Sequence, residues 1–332
     1  MLHLPRMSAA RSTLPLATGK VETTNLEALE LFSAGGCGCA GGSSSTAAAP
    51  TKSTPPAYLY SMGTVRAIIP SRSVEAELLH QAPTTNPPIT AASLRTASGL
   101  LAVIGQIENL YITRELCWVL DIDGIAAYIL SPSSPEVLLN LVQALAASPV
   151  PGVISFSVVG GQVGGKAPKS SCGGMELPVV AVSALLNTNN MQLSAALVTG
   201  INQFLGGNGV TAPTTSDVST MLTTALQMMD NVGNTNTYRA MNYAMLHAGG
   251  MYGVWWCYQN GKDPATGADS ATYTLTGVST APARVQGDRT LIDVIFSYFG
   301  NSTSVAWSVT VDVSTGIPFF ASLRPTRYYS RP

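Results

Sequence analysis

LCWVLDIDGIAAYILSP, residues 116–132, decides the fold. Two apolar runs flank Asp123-Gly124. An Asp-Gly pair between such runs is a strong hairpin signal, because both turn positions need a positive φ that Asp and Gly tolerate. The stretch therefore predicts two antiparallel strands. Upstream, AYLYSMGTVRAIIP (57–70) reads as a strand, 73–81 as a short helix and 90–107 as a helix after a proline-rich loop. Downstream, PEVLLNLVQALAA (135–147) carries apolar residues at 138, 141, 142 and 145, the helical spacing. GVISFSVVGG (152–161) and LPVVAVSALL (177–186) read as short buried strands.

Residues 217–232 form the clearest amphipathic helix, with apolar positions 218, 221, 222, 225, 226 and 229 on one face. A second helix is expected over 237–248, ending at Gly249-Gly250. The last third returns to strands at 272–278, 290–298 and 305–313, with Asn301-Ser302 in a turn. The sum is an α+β domain over residues 57–332, with mostly antiparallel strands and two or more packed amphipathic helices. In front of it, residues 1–56 read as an irregular arm. Within the arm, VETTNLEALELF (21–32) makes a leader-like helix with Leu26, Leu29 and Phe32 on one face. Gly35 and Gly36 stop it, or mark a cleavage point, and a Gly/Ser/Thr/Ala/Pro-rich stretch follows.

The 332 residues are long enough to bury a core without metal or disulfides. Charged residues are 11%, against about a quarter in ordinary globular chains, and the net charge is −1. Such a chain has no long-range attraction for nucleic acid or an anionic membrane. The low charge suits a secreted protein, or one whose surface is buried against copies of itself. The longest apolar run, GLLAVIG (99–105), is far short of a membrane span, and the N-terminus lacks the apolar run of a secretory signal. Synthesis in the cytoplasm is the expectation, with dedicated export open. Five scattered cysteines, an odd number, define no disulfide framework.

The local motifs point away from familiar catalysis. Residues 36–41, GCGCAG, match G-x-G-x-x-G in letters, but a helix precedes and a linker follows, so no dinucleotide site is expected. Residues 160–166, GGQVGGK, match the start of a phosphate-binding loop, but Ala167 stands where Ser or Thr should ligate magnesium, and the reading is a glycine-rich loop between strands. Asp121 and Asp123 sit at the hairpin turn and read as solvated. Of the three histidines, His3 lies in the tail, His80 ends a short helix, and His247 caps the C-terminus of the second amphipathic helix. No cofactor is expected. Cys37 and Cys39 have three readings: half of a soft-metal site completed by neighbours, a strained redox pair, or, with Ser43, Ser44, Ser45 and Thr46, an accessible segment for enzymatic modification. Cys, Ser and Thr are the residues whose side chains cyclise onto the preceding carbonyl, and the flanking glycines let an active site close over the backbone.

The stretches YLYSMGTVRAIIPSRSVEAELLHQ (58–81), LYITRELCWVLDIDGIAAYILSP (110–132) and GGMELPVVAVSALL (173–186) resemble the C-terminal domain, of unknown function, of PatG-type cyanobactin maturation proteases. The likeness continues through MMDNVGNTNTYRAMNYAMLH (228–247), LTGVSTAPAR (275–284) and residues 290–325. The resemblance covers residues 57–325 and leaves out the subtilisin-like protease domain, so it implies no proteolytic activity. It implies a non-catalytic protein in a pathway for ribosomally made, modified peptides. Peptide-modifying enzymes would be its partners and residues 37–46 the modified or tethering segment. The alternative is a self-assembling subunit of an extracellular fibre or other homo-oligomer, joined through residues 1–56.

Overall fold

The computed structural model describes residues 57–146, 151–206, 209–229, 232–283 and 288–329. The arm, with Gly35, Gly36, Cys37, Cys39, Ser43, Ser44, Ser45 and Thr46, lies outside the described residues. The fold is α+β. Five strands close into a barrel: β1 (Ala57–Ile68), β2 (Cys117–Ile122), β3 (Ile125–Pro132), β4 (Ser155–Lys166) and β5 (Pro178–Asn189), in the order β1-β2-β3-β5-β4. Every pair is antiparallel except β3–β5, which is parallel. The β2–β3 hairpin turns as its sequence predicts, with Asp123 and Gly124 at φ 51° and 79°.

Side chains alternate between the two faces of each strand. Leu59, Trp118, Leu120, Tyr128, Leu130, Val159, Val180 and Val182 share one core with the helices α1 (Arg72–His80), α2 (Ala97–Ile104), α3 (Leu110–Glu115) and α4 (Pro135–Leu145). On the opposite face, Tyr60, Met62 and Val158 join a second core, built with four more helices and a four-stranded antiparallel sheet. The helices are α5 (Asn190–Leu205), α6 (Thr215–Leu226), α7 (Asn236–His247) and α8 (Gly249–Gln259). The sheet runs β6 (Thr274–Pro282), β7 (Leu291–Gly300), β8 (Thr303–Asp312) and β9 (Phe319–Tyr328), each strand beside the next. Asn301 and Ser302 both take positive φ at the β7–β8 turn, as expected of that pair.

Side-chain caps set the helix starts. Ser71 and Ser134 accept the Val74 and Val137 N–H groups, and Thr214 with Asp217 forms a reciprocal capping box. The helix expected over 90–107 is broken. Thr96 takes an extended backbone to cap α2, and no helix runs through an extended residue. Residues 160–166 are strand and not a loop, because β4 is paired to β1 on one side and to β5 on the other.

Gly249-Gly250 starts a helix where a stop was expected. Ala248 breaks the run at φ −82°, ψ 63°, and α8 begins at once. The glycine answers a close helix crossing: a Cβ on Gly249 would lie 2.8 Å from the Cα of Gly200 in α5. The helix α5 and strand β9 carry no expectation from the sequence and complete the second core and the sheet edge.

Helix α7 runs between the barrel and the sheet, touching β1 on one side and β7 and β8 on the other. It is buried nearly all round, including Arg239 and Asn242. Among the described residues, the first half of β1 has no strand on its second edge. There the Tyr60 N–H donates to the Gly233 carbonyl at 3.0 Å, and Asn242 Nδ2 donates to the Tyr60 carbonyl at 2.9 Å. These bonds close the seam between barrel and helix layer.

Candidate functional site

The α7–α8 break opens onto a cleft of about 830 Å³. Its walls come from α5 (Gln203, Phe204), the break itself (residues 247–250), Trp307 of β8, and Phe320, Leu323 and Arg324 of β9. Leu323 is 77% exposed, an unusual amount for a leucine in a strand.

His247 stands in the last turn of α7 and presents its ring to this cleft. Its Nε2 lies 3.0 Å from the Tyr60 hydroxyl of β1, and its ring is 4.6 Å from that of Tyr243, which in turn packs against Phe320. Burial, reinforced by Tyr243, pushes the Tyr60 phenol well above the ordinary tyrosine range. Packing of its ring against Tyr60 and Tyr243 also lowers the His247 pKa by desolvation, although the residue keeps an exposed side on the cleft. Both groups are therefore neutral at pH 7, and the bond between them joins a neutral phenol to a neutral imidazole. Among the described residues, those lining the cleft include no Ser, Thr, Cys, Asp or Glu. The arrangement offers an aromatic wall, two basic side chains and open backbone.

The helix-capping role expected for His247 is only part of its setting, since its hydrogen bond reaches β1, 187 positions away. Nothing local in the sequence signals that partner. Asp121 and Asp123 do both line a second cavity, of about 350 Å³, beside the hairpin turn. Asp121 is not solvated as expected. Arg66 Nε donates to its Oδ2 at 2.6 Å, while Oδ1 is buried without a hydrogen-bond partner among the described residues. His80 is exposed at the end of α1, as expected. Among the described residues, no group of three or more His, Cys, Asp or Glu side chains is placed to hold a metal. No helix of the described residues is long and apolar enough to cross a membrane. Two cysteines that the sequence left unpaired are joined, Cys117 to Cys172.

The His247 environment makes stability depend on pH. A histidine whose folded pKa lies below its unfolded value of about 6.5 favours folding fully only above that value. As pH falls through about 6.5 toward the folded pKa, the unfolded state takes up the proton first and stability drops. Denaturant midpoints measured from pH 7.5 to pH 5 should fall for the native protein and fall less for His247→Gln.

The architecture now has a counterpart among known proteins. The sequence profile of the PatG Domain family matches residues 58–280. The chain belongs to this family. A solved structure titled "PatG Domain of Unknown Function" superposes with a TM-score of 0.59 at 16% identity, covering 82% of this chain and 99% of that one. At that identity the likeness shows the fold of the PatG domain and nothing of its chemistry. No curated protein matches the chain. The resemblance read from the sequence is thus borne out. The fibre alternative gains no support from these relatives.

Proposed function

We propose that this PatG domain protein is a non-catalytic accessory of a pathway for ribosomally made, modified peptides. In this reading the domain binds, and the segment with Cys37, Cys39, Ser43, Ser44, Ser45 and Thr46 is the substrate or tether for peptide-modifying enzymes. Family membership carries the proposal, because the family's name and resemblance tie it to that context. The cleft supports it. Its lining pairs a neutral His247 with aromatic walls, and its described residues include no Ser, Thr, Cys, Asp or Glu, as suits a binding surface. The experiment is an intact-mass measurement on protein from its native host, beside protein made in a host without the pathway. Each heterocycle formed from Cys, Ser or Thr releases one water, about 18 Da. The native chain should be lighter by whole multiples of that mass. Equal masses from the two hosts would refute the modified-segment reading.

A further inference from the structure

Between β4 and β5 the chain folds back over the outer face of β2 and β3. Residues Cys117, Val119, Ile129 and Ala167 form a small core there, covered by Cys172, Met175 and Leu177. Val119 is fully buried beneath this cover. The covering segment is held to the barrel in few ways. The Ala167 N–H donates to the Leu177 carbonyl at 2.9 Å and closes its base. Its other backbone bonds are internal, from Ser171 to Pro168, Gly174 to Ser171 and Met175 to Cys172. The Lys169–Glu176 ion pair is exposed and 3.9 Å long, and contributes little. The covalent tie to the barrel is the Cys117–Cys172 disulfide. Cys172 sits at φ 52°, a left-handed backbone that a side-chain-bearing residue takes at a cost of about 1–2 kcal/mol. The bridge holds it there. Cys117 is buried at 3% exposure, whereas Cys172 is only partly buried.

We propose that residues 167–177 form a flap latched over the β2–β3 face by the Cys117–Cys172 disulfide, and that thiol reduction releases the flap and uncovers that apolar face. A small-molecule thiolate attacks the sulfur of Cys172, the less buried of the two residues, and Cys117 leaves as a thiolate. A second thiol then displaces the mixed disulfide from Cys172. Two protein thiols form, and the reductant departs as its own disulfide. The two large cores lie elsewhere, around α1–α4 and around α5–α8, so the opening stays local. The latch is closed in an oxidising compartment and open in a reducing one.

The test is hydrogen exchange read by mass spectrometry on the full chain, with and without dithiothreitol, alongside Cys172→Ser. Amides of residues 168–177 should exchange at least about tenfold faster on reduction and in the variant, while β7 and β8 keep their protection. Trypsin should cut faster after Lys169 in the reduced protein. Unchanged exchange at 168–177 on reduction of the native chain would overturn the latch. So would equal loss of protection across β7 and β8, which would make the bridge a global staple. Peptide mapping of the oxidised protein without a 117–172 link would also overturn it.

Discussion

Arg239→Met should cost about 3 kcal/mol of stability or more, among the largest losses of any single substitution in the domain. Arg239 is 1% exposed in the first turn of α7. Its Nη1 donates to Asn236 Oδ1 and to the Val313 carbonyl, each at 3.0 Å. Its Nη2 donates to the carbonyls of Thr315 and Gly316. The guanidinium lies 5.3 Å from the centre of the Tyr58 ring. One side chain therefore ties the β8–β9 connection to α7 and to β1. Burial lowers its pKa, with Tyr58 acting in the opposite direction. A guanidinium stays protonated even so, and here carbonyl dipoles and an aromatic face stabilise the charge. Methionine fills much of the volume but leaves three carbonyls without this donor. Lysine keeps the charge but not the planar fork, so Arg239→Lys should recover only part of the loss. Urea denaturation at constant slope measures both. A loss under about 1 kcal/mol for Arg239→Met would show that the connection is held by other means.

Gly233→Ala should be nearly as damaging, about 3 kcal/mol. Gly233 has φ +65°, and a Cβ built there would lie 2.1 Å from the Tyr60 carbonyl oxygen. No rotamer relieves a clash between a Cβ and a backbone atom. The backbone at Gly233 would have to lift, losing the Tyr60 N–H bond to the Gly233 carbonyl and loosening the Asn242 contact at the Tyr60 carbonyl. Tyr60 is also the partner of His247, so the damage should reach the cleft. The histidine NMR signal of His247 should move in Gly233→Ala, together with the fall in melting temperature. A variant with native stability and an unshifted signal would contradict the seam.

The parts of the fold legible in the sequence are those whose cause is local. Asp123-Gly124 and Asn301-Ser302 announce their turns because backbone sterics select those residues. The α4 and α6 helices show an apolar stripe because one face of each meets water. The α8 helix, GGMYGVWWCYQ, shows no stripe, because it is buried nearly all round and opens with the glycines that usually end a helix. The β9 strand, FFASLRPTRY, hides behind Pro325 and two arginines, residues typical of a sheet edge. The cleft was not legible at all. Tyr60 and His247 are brought together by α7 packing on β1, and no spacing rule connects residues so far apart. The Cys117–Cys172 link spans 55 residues and was masked by the odd cysteine count.

The most direct test of the account is one tryptic peptide. Cleavage after Lys20 and Lys52 releases residues 21–52 intact, with Cys37, Cys39, Ser43, Ser44, Ser45 and Thr46 in a single fragment. Taken from the native host and read by tandem mass spectrometry after thiol alkylation, it should be lighter than its encoded mass by one or more losses of about 18 Da, localised within residues 37–46. Any cyclised cysteine in it should take up no alkyl group. A fragment of encoded mass with both cysteines alkylated would contradict the proposal that this PatG domain protein carries a modified segment.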